Sequence, residues 1–188
     1  MQLRNSTRHY GPIALTTHWL TVLLVAVAWL IGTFGDVLPR GAPRQTGLFV
    51  HMSAGLAILI LALLRLAWRS FDPPPPLEPT RLGPWQEIAA RHAHLGLYAL
   101  LIAIPIMGVT LQFARGEALP VFGLAHIASP WARDRAFAGS VREVHEVLAN
   151  ILMIAVGLHA AVALAHHYVL RDRTLVRMLP GNGRRSCL

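Results

Sequence analysis

The segment from Val144 to Tyr168, VHEVLANILMIAVGLHAAVALAHHY, leaves little choice of fold. It runs for twenty-five residues with one carboxylate, Glu146, and with no Arg or Lys. As a helix rising about 1.5 Å per residue it covers roughly 37 Å, enough to cross a bilayer with some tilt. His145 and His159 lie inside it, fourteen residues apart. Fourteen steps of about 100° return to within roughly 40° of the starting direction, so the two imidazoles share one face about 21 Å apart. Histidines are costly inside a membrane and therefore face a bundle interior, where they pair with polar neighbours or ligate something.

Three more apolar stretches precede this one, at 13–34, 48–68 and 92–113. With 54% hydrophobic and 14% charged residues, the chain reads as a single membrane domain over 1–188. The net charge of +8 comes from seventeen Arg and no Lys. These arginines sit in short clusters between the spans, which points to membrane topology rather than to nucleic acid. The single cysteine, Cys187, excludes an internal disulfide, a CxxCH haem attachment and a cysteine-held iron–sulfur cluster. No GxGxxG and no P-loop is present, so nicotinamide, flavin and ATP chemistry have no support.

A positive start, with Arg4 and Arg8, followed by an apolar run resembles a signal peptide, but the run is long and more spans follow, so a retained first helix is expected. His18 lies in its first turns beside Trp19, an interface-type aromatic. The loop 35–47 carries Arg40 and Arg44. The second span opens with His51, and Gly55 follows one turn later on the same face, where it lets a flat ring approach the backbone. Arg65 stands fourteen residues after His51 on that face; it reads either as a cofactor contact or, with Arg69, as a cytoplasmic stop signal. Residues 70–87, with four consecutive prolines at 73–76, form a stiff extended linker. His92 and His94 open the third span, which Pro105 kinks and in which Gly96 and Gly108 suit close packing. The long loop 114–142 has stretches, 119–127 and 131–137, apolar enough to lie along a membrane surface. His126 in this loop reads as a surface histidine.

Counting arginines orients the chain. The N-terminus, the 65–91 connection and the tail hold eleven, and the other side holds six. The positive-inside rule then puts both termini in the cytoplasm and predicts an all-α, four-helix, up-and-down bundle. Span order places His51 and His145 near the outer face, and His18 and His159 near the inner one. Two level pairs of imidazoles suit two haem b groups, each held from both sides in an apolar cavity. His92, His94, His166 and His167 gather at the inner ends of the third and fourth spans. They read as interfacial residues or, with Arg81, as donors to the carbonyls of a quinone. Arg40, Arg44 and Arg142 precede the second and fourth spans and read as loop charge or as a ring steering a small anion to the outer haem.

The motifs HWL at 18–20, HMSAG at 51–55, HLG at 94–96, HEVLAN at 145–150, GLHAAVALAHHY at 157–168 and RDRTLVRMLP at 171–180 resemble the bacterial cytochrome b561 family, and the resemblance covers nearly the whole chain. It is nearest to the branch described as superoxide oxidases, small di-haem enzymes of the inner membrane. The resemblance implies that His18, His51, His145 and His159 are haem ligands, that superoxide is oxidised at the periplasmic side, and that ubiquinone is reduced in the membrane. Two other readings compete. One is an electron-relay cytochrome b subunit of a hydrogenase or dehydrogenase. The other is a metal-ion transporter, which would need carboxylates beside its histidines within the membrane, where only Glu146 lies within a span.

Overall fold

In the computed structural model, which describes residues 3–7, 9–76, 78 and 83–179, four long helices carry the chain back and forth. They are α1 (Pro12–Phe34), α2 (Ala42–Phe71), α3 (Pro84–Ala114) and α4 (Arg135–Tyr168). All four are long and apolar enough to span a membrane. Leu23, Leu63, Leu64, Ile154 and Leu158 are exposed on them, as side chains facing acyl chains would be.

The helices outrun the spans read from the sequence. A proline stands in the first turn of α1, α2 and α3, where its missing N–H has no intrahelical partner to lose. Pro84 therefore starts a helix inside what reads as linker, and α3 begins before the expected His92. Asp134 caps α4, its Oδ1 accepting the Phe137 N–H at 3.0 Å, so α4 also begins well before Val144. Within the remaining loop, Leu119–Val121 (β1) and Ala125–Ile127 (β2) pair antiparallel, Leu119 opposite Ile127. Phe122 (φ 53°) and Gly123 (φ 73°) make the tight turn between them. The apolar 119–127 stretch is thus a hairpin whose first strand is mostly buried and whose second is exposed.

The segment before α1, the α2–α3 linker and the segment after α4 are knitted together at one end of the bundle. The Asn5 N–H donates to Asp72 Oδ2 at 2.9 Å, Trp19 Nε1 donates to the Met178 carbonyl at 2.7 Å, and Arg177 pairs with Glu78 at 2.5 Å. The hairpin and the Gly35–Val37 turn lie at the opposite end. The core between them is built on a seven-residue step, close to two helical turns. Val25 follows His18 by seven, Ile58 lies midway between His51 and Arg65, and Leu152 midway between His145 and His159. These residues are buried with Ala62 and Leu101 in one cluster. An apolar layer therefore separates two polar levels on the same helix faces.

Candidate functional site

At the hairpin end, His51 of α2 and His145 of α4 face each other with ring centroids 6.1 Å apart. Each ring is held by a neighbouring helix. His51 Nδ1 lies 2.8 Å from the Ala28 carbonyl of α1, and His145 Nδ1 lies 3.0 Å from the Ile104 carbonyl of α3. A carbonyl only accepts, so both Nδ1 atoms carry the proton and both Nε2 atoms keep a free lone pair. This is the arrangement that orients and strengthens a metal-binding imidazole.

Both carbonyls belong to helices whose own i→i+4 bonds already use them, and a side chain one turn on would cover them. The residue four positions after Ala28 is Gly32, and four after Ile104 is Gly108. A Cβ on Gly32 would stand 3.1 Å from His51 Cε1, and one on Gly108 would stand 3.4 Å from His145 Cε1. Both glycines lie beside an imidazole edge, but only at Gly32 would a Cβ crowd the ring; at Gly108 it would make ordinary contact.

The pair lines a cavity of about 630 Å³, the size of a cofactor pocket. Gly55 lies in its wall, and among the described residues no side chain or other segment comes within 4 Å of where its Cβ would be. Trp29 Nε1 and Arg44 Nε in the same wall are buried donors without an acceptor among the described residues. The residues fit a haem. Two imidazoles bound to one metal at about 2 Å have ring centres roughly 6 Å apart, the lining is largely apolar, and the two orphan donors suit the carboxylates of its propionates.

The other level is built differently. His159 packs not on His18 but on His94, with centroids 5.6 Å apart. His18 lies within electrostatic reach of both and of Arg65. Arg65 Nη2 reaches His18 Nδ1 at 3.4 Å, and its guanidinium lies 5.6 Å above the Tyr98 ring. Arginine only donates, so in this contact His18 Nδ1 accepts. At 3.4 Å the contact is long and readily exchanged. Ligation through His18 Nε2 requires that Arg65 give it up.

The expected quinone group is not assembled as one set. His94 belongs with His159. His166 is buried, its Nδ1 donating to Asp172 Oδ2 at 2.5 Å. His167 stacks edge-on with Tyr168 at 4.8 Å, and Arg81 lies outside the described residues. His92 is bonded to its own helix through the Ile88 carbonyl, and His126 is exposed on the hairpin. Of the expected steering residues, Arg44 and Arg142 line the cavity whereas Arg40 does not. Arg44 is tied to the Asp36 and Leu38 carbonyls, and Arg142 to Glu146 at 2.6 Å. Arg115, which sequence spacing did not single out, joins them in the wall because the loop after α3 folds back beneath α4.

The chain is similar to the probable superoxide oxidase CybB of Yersinia pestis, 36% identical over 92% of this chain and 97% of that protein. It is 32% identical to cytochrome b561 homolog 2 of Escherichia coli (strain K12), over 95% of each chain. A shorter match, 36% identical over 34% of this chain and 32% of the relative, links it to the probable Ni/Fe-hydrogenase 1 B-type cytochrome subunit of the same organism. The family profile of the prokaryotic cytochrome b561 proteins matches residues 9–181, and with full-length likeness to two relatives the conclusion is plain: this chain belongs to that family and is a multi-pass bacterial membrane oxidoreductase with haem b as its prosthetic group.

Proposed function

We propose that the protein is a superoxide:ubiquinone oxidoreductase of the inner membrane with two haem b groups. His51 and His145 hold one group at the hairpin end, and His18 and His159 hold the other at the end that carries the termini. The observation that carries this reading is the 6.1 Å imidazole pair with both Nδ1 atoms committed to carbonyls. The eleven arginines that the sequence carries in its N-terminal segment, the 65–91 connection and the tail support a cytoplasmic placement of both termini, with the His51–His145 level towards the periplasm.

When bound, haem supplies one-electron transfer. The Ala28 and Ile104 carbonyls accept hydrogen bonds from Nδ1 of His51 and His145 and so keep Nε2 of both rings free to ligate. Arg44 and Arg142 in the cavity wall are paired with Asp36 and Glu146, and Arg115 adds a positive charge beyond those pairs that attracts a small anion. In the overall reaction two superoxide anions each lose one electron and leave as dioxygen. One ubiquinone takes both electrons and two protons and becomes the quinol. His94 and His167, at the terminal end, can donate hydrogen bonds to a quinone carbonyl.

The relay reading has one observation in its favour, the partial likeness to a hydrogenase cytochrome subunit. Purified protein in detergent separates the two. Superoxide with ubiquinone should yield dioxygen and quinol without any partner protein. Haems that superoxide does not reduce, and that only a dehydrogenase-type partner does, would reject the enzyme reading.

A further inference from the structure

Six arginines lie at the hairpin end of the bundle, and four of them line one pocket of about 210 Å³. Arg115 comes from the end of α3, Arg133 from the loop, and Arg135 and Arg142 from the first turns of α4. The loop is held in place from both sides. The Asp134 N–H donates to the Ala114 carbonyl at 2.9 Å, and a Cβ on Gly116 (φ 71°) would stand 3.2 Å from Arg133 Cβ, so the two segments touch where a side chain would not fit.

The pocket is electrostatically unbalanced. Its one carboxylate, Asp134, is engaged with the Phe137 N–H. Arg142 is paired with Glu146. The guanidinium groups of Arg115, Arg133 and Arg135 have no carboxylate partner among the described residues. Asp134 serves the N-terminus of α4 as its cap, but the first turn itself holds no acid and begins with Arg135. Like charges gathered at one point repel unless an anion sits among them, and planar guanidinium groups suit phosphate oxygens in particular.

Beside the pocket lies an exposed aromatic ladder. Trp131 packs edge-on against Phe113 at 6.0 Å and Phe137 at 6.3 Å, and Trp131 and Phe137 are both about half exposed. Exposed aromatic rings next to basic groups at the end of a membrane helix mark the headgroup level of a bilayer. We infer that this arginine pocket binds a phosphate oxyanion, presented by the headgroup of an anionic phospholipid. Binding there does not depend on which histidines hold haem. Because Arg115 and Arg142 line both this pocket and the His51–His145 cavity, a bound phosphate also weakens the positive field at the cavity wall.

The test uses delipidated holoprotein in a neutral detergent and follows its unfolding midpoint. Added phosphatidylglycerol should raise the midpoint by roughly 5 °C at saturation, and phosphatidylcholine should not. Each guanidinium removed by Arg133→Gln or Arg135→Gln should weaken the phosphatidylglycerol response roughly tenfold in concentration. Arg40→Gln, at the same end but outside the pocket, should respond as wild type does. Without lipid, Arg135→Gln should be at least as stable as wild type, because it relieves repulsion. Inorganic phosphate giving the same shift, lost in the same variants, retains the phosphate site and makes free phosphate its ligand. No shift with either probe, or an equal response in Arg40→Gln and Arg135→Gln variants that both fall short of wild type, overturns the inference.

Discussion

His51 and Ala28 are joined by a 2.8 Å hydrogen bond from an imidazole of α2 to a backbone carbonyl of α1, twenty-three residues away. The bond settles which nitrogen carries the proton, and so which nitrogen can ligate. His145 and Ile104 repeat it between α4 and α3 at 3.0 Å. One bond type thus ties the helices together in pairs and also leaves Nε2 of both rings free to ligate.

If these rings hold a haem, His51→Ala and His145→Ala should each remove the same signal in a redox titration, while His18→Ala and His159→Ala remove the other. Pyridine haemochrome analysis of wild type should give about two haem b per chain. Loss of one common signal from His18→Ala and His51→Ala would defeat the pairing.

Gly32 and Gly108 should separate cleanly. Alanine in a helix interior is favoured over glycine by about 1 kcal/mol, so neither change should destabilise the helix itself. A Cβ at Gly32 meets His51 at 3.1 Å, and the ring must shift by tenths of an ångström; at Gly108 the contact with His145 is an ordinary 3.4 Å. Gly32→Ala should therefore move the outer haem's reduction potential and low-spin spectrum, and Gly108→Ala should leave both nearly unchanged. The electron paramagnetic resonance spectrum of the oxidised protein reports the difference.

Arg65 touches His18 and Tyr98, so its charge lies at the level of His18 and His159. A cation there favours the reduced centre. Arg65→Met should lower the inner haem's potential by some tens of millivolts, on the order expected for one charge in a medium of intermediate dielectric. An unchanged potential with altered membrane orientation is the result expected of a stop signal alone.

Asp172 responds to pH in a definite direction. Burial pushes its carboxyl up, but hydrogen bonds from His166 and Thr174 outweigh this and hold it below its ordinary value of 3.8. A depressed carboxylate stabilises the fold at pH above its unfolded value, and that contribution is lost as pH falls through the folded one. The junction between α4 and the tail should therefore loosen as the pH falls through and below 3.8, and Asp172→Ala should flatten this dependence. At neutral pH the same change leaves His166 without its acceptor, costing about 1–3 kcal/mol. Unfolding midpoints measured from pH 7 downwards test both points.

Steering by charge predicts a salt dependence. Reduction of the haems by superoxide should slow as ionic strength rises, because the screening length shrinks to about 10 Å at 0.1 M. Arg44→Glu should lower both the rate and its slope with salt, and Arg40→Glu, away from the cavity wall, should change them less. Stopped-flow traces with a neutral reductant supply the control, which should be flat with salt.

Four apolar stretches and the spacing of His18, His51, His145 and His159 were legible in the chain because helical periodicity and membrane length are local rules. Those rules reach along one helix and no further. They could not reveal that His159 packs on His94, that His166 turns to Asp172, or that Arg115 and Arg135 meet across a twenty-residue loop. Such contacts depend on how helices rotate and where loops return. They also passed over Gly32 and cast Gly108 as packing, although an Ala-x-x-x-Gly or Ile-x-x-x-Gly step beside an interior histidine carries the signal. The sequence by itself determined the bundle and which residues could serve as ligands. Only the tertiary structure decided which carbonyls His51 and His145 lean on, because a hydrogen bond between helices exists only once the helices are packed.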